Sequence, residues 1–384
     1  MDTADVNRKK RIDWIDLAKG IGMILVVVAH TVCIFMPGET EILVRGLIYS
    51  FHMPLFFILS AYTYRSSDSG EAFLKKTEKA FRHLILPAVV LFILQTIYDI
   101  AMQPDKAAQA GWMDYTAERI NIFVYASAKD VSIAGASIPN IGISWFLFGL
   151  FFGRTLYDYL HLRIKSKKTF TAVICLLSFV GVTIAGVQNL PFSWDIALAI
   201  IPFFAFGNYL KRIDLNKNKW KAAAVCFVVW AVCFFIQYNT SMSRLKYTLC
   251  QTMHLPENIV SEFIYIYDRG RYLDLGVRSY PLFPLCFISA IAGVMVLIYL
   301  CTLLVKAKKL MIPLIFIGRN SMYFFWVHAM DDLTKPLWLT YDRVGSIIPR
   351  LITDIIVFLI LMLVIWSLKK LRAFVAKKRD GRNE

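Results

Sequence analysis

The stretch Arg11-Ile-Asp-Trp-Ile-Asp-Leu-Ala-Lys-Gly-Ile-Gly-Met-Ile-Leu-Val-Val-Val-Ala-His30 reads as a membrane helix that carries a cation near one end and a histidine deep in its apolar part. At about 1.5 Å and 100° per residue, Lys19 and His30 stand about 16 Å apart along the axis and within about 20° of one helical face. Ionisable groups inside a membrane helix are costly and usually functional, so a bundle that buries both on one track is expected to use them. The apolar run exceeds a signal-peptide core, and this predicts an uncleaved first span.

The rest of the chain fits that start. It is 58% hydrophobic and 18% charged with mean hydropathy +0.55, outside the range of soluble domains. The net charge of +16 sits in short basic clusters between apolar spans, which is the pattern of membrane topology and lipid anchoring rather than of a nucleic-acid partner. Seven cysteines show no ligand or disulfide-framework spacing, so no metal site is expected.

With about 20 apolar residues as the unit, ten helices are predicted. They run Trp14–Met36, Val44–Tyr64, Leu84–Met102, Ile141–Leu160, Phe170–Val187, Trp194–Leu210, Ala222–Tyr238, Pro281–Val305, Ile312–Met330 and Leu351–Leu368. Alternate connections hold 28 of the 43 Lys and Arg residues and the opposite set holds ten, which predicts that both termini face the cytoplasm. The expected fold is an all-α polytopic bundle, with one membrane domain over residues 1–368 and a basic cytoplasmic tail over 369–384, in the plasma or inner membrane. The connections 103–140 and 239–280 are the long outer ones, and their aromatics Trp112, Tyr115, Tyr265, Tyr267 and Tyr272 suit either an interfacial anchor or a cap over an acceptor site.

On this topology Asp16 and Lys19 lie near the cytoplasmic face, while His30, His52 and His328 converge on the outer third. A histidine can take a proton from an alcohol as the alcohol attacks a carbonyl, and this is the simplest role for His30. Lys19, Arg82 and Arg319, at or inside helix ends, suit phosphate binding at a cytoplasmic mouth. Asp16 is placed to pair with Lys19, or to form an ion pair at the helix end.

Six segments, in order, resemble a known family. They are Lys19-x10-His30, Phe51-His-Met-Pro-Leu-Phe-Phe-Ile-Leu-Ser-Ala-Tyr62, Arg82-His-Leu-Ile-Leu-Pro87, Ser144-Trp-Phe-Leu147, Pro202-Phe-Phe-Ala-Phe-Gly207 and Ile317-Gly-Arg-Asn-Ser-Met-Tyr-Phe-Phe-Trp-Val-His328. Together they resemble the membrane acyltransferase family 3, with the sugar O-acetyltransferase branch of the fucose 4-O-acetylase type nearest. The resemblance implies a ten-helix enzyme that moves an acyl group from cytoplasmic acyl-CoA, acetyl-CoA or another acyl-CoA, to a hydroxyl of an extracytoplasmic or lipid-linked glycan. It maps the family's Arg/Lys-x10-His motif onto Lys19 and His30, with the histidine catalytic. Here Lys19 stands where many members have Arg, and Ala61 where they usually have Gly. Asp16, His52, Trp145, Asn320, Ser321 and His328 are the expected pocket residues. Acetyl and succinyl both stay open, as do direct transfer and an acyl-histidine intermediate. A transporter or flippase working the same polar track is the rival from another class.

Overall fold

In the computed structural model, residues 11–35, 39–133, 135–240, 270–339 and 346–380 are described. Tyr265 and Tyr267 lie outside them. The described chain is helical apart from one short hairpin, β1 (Val131–Ile133) paired antiparallel with β2 (Ala136–Ile138). The first span is α1 (Asp13–Phe35). It is followed by α2 (Glu39–Tyr49), α3 (His52–Thr63), α4 (Gly70–Met102), α5 (Pro104–Ala110), α6 (Trp112–Tyr125), α7 (Trp145–Arg163) and α8 (Lys167–Val187). Then come α9 (Trp194–Ala199), α10 (Ile201–Leu210), α11 (Lys219–Asn239), α12 (Leu285–Leu304), α13 (Lys308–Arg319), α14 (Ser321–Ala329), α15 (Lys335–Trp338) and α16 (Ile347–Asp380).

Seven helices among the described residues are long and apolar enough to cross a membrane, or up to nine if each of two bent pairs is one span. The chain is an all-α, multi-pass membrane protein. Leu86, Val90, Ile93, Leu94 and Ile97 of α4 and Ile352, Ile356, Leu359, Ile360 and Leu363 of α16 are all exposed. An apolar outer face of this kind is what a lipid solvent requires of helices whose backbone bonds are satisfied internally.

Three expected spans are interrupted, the first of them, over Ile42–Thr63, still one of the seven, and two of the interruptions follow from proline. Its ring collides with the carbonyl four residues earlier in a regular helix. Pro54 points that clash at Ser50, and the chain leaves helical geometry at Ser50–Phe51, between α2 and α3. Pro202 does the same at Leu198, and α9 and α10 meet at 50° around Ile200. The third break, 67° between α13 and α14 at Asn320, has no proline at the bend. There Arg319 is anchored sideways, its Nη2 2.7 Å from Asp13 and its Nε 3.2 Å from Asp16 on α1.

Helices α1 and α13 approach backbone to backbone. A Cβ on Gly318 would overlap the Asp16 carbonyl, and one on Gly20 would overlap the Leu314 carbonyl. Small residues at such crossings are how membrane helices come close enough to pack. Gly318→Ala is expected to force the two helices apart, at the upper end of the roughly 1–3 kcal/mol that overpacking costs. Thermal unfolding in detergent would show this as a lowered midpoint, whereas an unchanged midpoint would contradict the close crossing.

The long connection before α7 is ordered. Tyr115 of α6 is buried, while Trp112 stays exposed. The second long connection is pinned where it is described. Arg278, fully buried, donates from Nε to Asp195 of α9 at 2.5 Å and from Nη1 to the Ser127 hydroxyl at 2.8 Å. This bond set holds residues 270–280 against the bundle.

Candidate active site

A chamber of about 490 Å³ runs through the bundle and collects the chemistry-bearing residues. One wall is α1, which presents Lys19, Met23, Val26 and His30. Their spacing of four, three and four residues is the stripe that a single helical face must show. The α1 residues around this stripe, among them Leu17, Ala18, Val27 and Ala29, are fully buried, so the stripe is what the helix leaves facing the cavity. At the Lys19 end the chamber reaches Ser60 and Thr63 of α3 and Leu150 of α7. At the other end it reaches Arg45 and Tyr49 of α2, Asp274 and Arg350.

Lys19 and His30 share a second feature besides facing the chamber. Among the described residues, neither the Lys19 ammonium nor a His30 ring nitrogen has a hydrogen-bonding partner within bonding distance. Lys19 is left with an electrostatic attraction to Asp16, whose carboxylate is bonded to Arg319.

Behind His30 stands a charged network. The His328 ring is 5.5 Å from the His30 ring, centroid to centroid. Its Nδ1 lies 3.1 Å from Asp354 Oδ2 and 3.2 Å from Asp331 Oδ2. Arg350 donates to Asp331 Oδ2 from Nε at 2.8 Å and from Nη2 at 2.5 Å, and from Nη1 to the Thr31 hydroxyl at 3.2 Å. Thr31 in turn donates to the Val27 carbonyl on α1. The set ties α1, α14 and α16 together at the level of His30. Outside the spans, Asp331 is held below the usual carboxylate range; burial opposes this, and the His328 and Arg350 bonds outweigh it.

His328, Asp331 and Asp354 lie close enough to hold a metal ion, their candidate ligand atoms all within 4.8 Å of one another. The place of a cation there is already filled. Arg350 bonds Asp331 twice, and His328 Nδ1 sits between the two carboxylates. We read the cluster as an ion-pair network.

His52 also lines the chamber. Its Nδ1 is 3.0 Å from the Ile48 carbonyl, and because a carbonyl only accepts, Nδ1 carries the proton and Nε2 is the free nitrogen. Its ring packs on Tyr49, 4.7 Å between centroids. The Arg45 end is an aromatic and charged collar. Arg45 Cζ is 4.8 Å from the Tyr49 ring and 5.8 Å from the Tyr272 ring, and Arg45 pairs with Asp274 at 3.4 Å. A second cavity of about 580 Å³ adjoins here and shares Arg45, Asp274 and Val277.

Of the residues expected at the site, Lys19, His30, His52, Trp145 and Ser321 line the chamber. His328 stands one layer behind His30. The other four are not brought to it. Asp16 and Arg319 bond each other, Asn320 donates to the Phe316 carbonyl at the bend, and Arg82 is 69% exposed and paired with Glu78 one turn away. The bend at Asn320 turns Arg319 toward α1, and Arg82 falls on the outward face of α4. Arg350, Asp331, Asp354, Arg45 and Tyr49 are site residues that the sequence reading did not single out. Asp354 carried a signal, as the one acidic residue in the apolar span Leu351–Leu368.

A family model described as an acyltransferase domain, Acyl_transf_3, matches residues 12–370. No curated protein and no solved structure matches. With the model covering nearly the whole chain, from the first residues of α1 into the far end of α16, the chain belongs to the membrane acyltransferase family 3.

Proposed function

We propose that the protein moves an acyl group, acetyl in the first instance, from cytoplasmic acyl-CoA to a hydroxyl of an extracytoplasmic or lipid-linked glycan, with His30 as general base. The observation that carries this reading is the α1 stripe. A cation without a bonded carboxylate and a histidine without a bonded partner face one chamber about 16 Å apart, close to the reach of a pantetheine arm. On the proposed topology the seven long helices, the two bent pairs and α7 make ten crossings. Both ends of the chain and the Lys19 end of the chamber then face the cytoplasm. α7 falls short as a span by composition because Arg154, Asp158 and His161 lie in its inner half.

In this mechanism Lys19 faces the donor and the thioester extends toward His30. The acceptor enters from the Arg45 end, where Arg45, Tyr49 and Asp274 line the chamber. His30 takes the acceptor hydroxyl proton as its oxygen attacks the thioester carbonyl. The tetrahedral oxyanion collapses with cleavage of the carbon–sulfur bond, and His30 returns the proton to the leaving thiolate. Positive charge develops on His30 only during the reaction. Asp331 and Asp354, both bonded to His328 Nδ1, fix the His328 ring against His30 and so hold the base in place for the transfer.

Asp354→Asn, which keeps the shape and removes the charge, is expected to lower kcat about 10- to 100-fold, the worth of one charged hydrogen bond. Coenzyme A affinity should stay unchanged. Steady-state kinetics beside a binding isotherm checks this, and a loss of affinity with kcat intact would assign Asp354 to packing instead. For the function itself, the test is release of free thiol from acetyl-CoA or succinyl-CoA by purified protein in nanodiscs. Slow release that a glycan acceptor accelerates supports the reading, and absence of release with both donors removes it.

A further inference from the structure

The Lys19 end of the chamber has a closing layer, one helical turn beyond its innermost wall. Ser60 and Leu150 line the chamber, and the residues four positions on, which share their faces, are Tyr64 and Arg154. These two meet, the Arg154 Cζ lying 5.0 Å from the Tyr64 ring centroid. Trp14, at the start of α1, packs on Tyr62 at 5.3 Å, so this layer sits beside the Lys19 helix.

Tyr64 is rigidly held. Its hydroxyl donates to Asp158 at 2.7 Å, and its carbonyl accepts from Lys211 at 2.5 Å. Asp158 also accepts from the Ser67 backbone N–H at 2.7 Å and the Ser67 hydroxyl at 2.6 Å. That carboxylate is therefore taken up by neutral donors. Lys76 stands 5.6 Å from the Tyr64 ring and is anchored on the carbonyls of Arg65 and Ser66. Arg154 is braced by the ring, with the Asp158 carboxylate attracting it from beyond bonding distance. Among the described residues its guanidinium, a fork of five donors, has no acceptor within hydrogen-bonding distance. Two cations thus lie against one aromatic ring, with a third on the same residue's carbonyl, and the carboxylate bonded to that ring's hydroxyl is already engaged. Arg82 and Arg319, the arginines expected from sequence to hold phosphate, each have a carboxylate bonded.

We propose that Arg154, braced on Tyr64, binds a phosphate of the donor's nucleotide at the Lys19 end of the chamber, with Lys76 and Lys211 supplying the surrounding positive field. This rests on the reading of the donor as an acyl-CoA and names the seat of its polyanionic part. A planar guanidinium held by its face, with its edge unbonded, is the geometry that takes phosphate oxygens two at a time.

The test is equilibrium binding of coenzyme A itself, without acyl group or acceptor, to purified protein in nanodiscs. Wild type is compared with Arg154→Gln, Arg154→Lys and, as a control, Arg82→Gln. Arg154→Gln is expected to weaken binding about 10- to 100-fold, the worth of a charged hydrogen-bonded contact, and Arg82→Gln to leave it unchanged. Arg154→Lys keeps the charge and loses the fork, so it is expected to fall between, and it decides the question if the Gln variant does not fold. Wild-type affinity in both Arg154 variants overturns the assignment while leaving the acyl-CoA reading in place. A wild type that binds no coenzyme A overturns both.

Discussion

Replacing His30 with Ala is expected to lower acyl transfer by about 10²- to 10⁴-fold, the range of a positioned general base, while coenzyme A binding is retained. The separation follows from the geometry. His30 lies about 16 Å along α1 from Lys19, so removing the imidazole leaves the Lys19 end untouched and deletes only the proposed base. Thiol release beside a binding isotherm for the same preparation checks it. A variant that turns over at the wild-type rate would move the base elsewhere, with His52 Nε2 next in line because it also faces the chamber. A variant that loses binding and turnover together would mean that His30 shapes the bundle rather than acting in it.

The second large effect concerns the pinned segment 270–280 at the Arg45 end. Arg278→Ala is expected to cost about 3–5 kcal/mol of stability, the usual result of leaving one member of a buried pair without its partner. Both side chains of the Arg278–Asp195 pair are fully buried, and Asp195 would keep a charge with no guanidinium to meet it. Arg278 also ties the Ser127 hydroxyl and the Gly276 carbonyl, and Gly276 lines the chamber against the Trp145 indole. The loss should therefore be larger than for any exposed pair, such as Arg82–Glu78. Thermal melts of Arg278→Ala and of the double variant Arg278→Ala/Asp195→Ala separate the causes. If uncompensated charge is the cause, the double variant recovers part of the midpoint. Equal midpoints in both variants would place the cost in lost packing.

Much of the site was legible because α1 is a regular helix. In such an element spacing alone decides orientation, and Lys19, Met23, Val26 and His30 face one cavity as their positions require. Periodicity failed where the helix stops being regular. Pro54 and Pro202 mark two of the breaks in the sequence, but the 67° bend at Asn320 is imposed by Asp13 and Asp16, which lie about 300 positions earlier. No local pattern carries a partner at that distance. The bend takes Arg319 and Asn320 away from the chamber and sets His328 behind His30 rather than beside the substrate. Arg82 misled for a different reason. A cation at a helix end suits a phosphate mouth and an outward i,i+4 pair equally well, and only packing decides which face of α4 it occupies. Arg154 was passed over because a charged residue inside a predicted span has no spacing partner until α3 is folded against α7.

The account's central claim is that one chamber takes the donor at its Lys19 end and the acceptor hydroxyl at its Arg45 end, with His30 between them. Sealed, uniformly oriented proteoliposomes with acetyl-labelled acetyl-CoA on one face and a glycan acceptor on the other test it directly. The account predicts labelled acceptor only when the donor is on the cytoplasmic face, with free coenzyme A left on that face. Passage of intact donor or acceptor across the membrane with no acyl transfer would contradict it, and the polar track would then be a transport path.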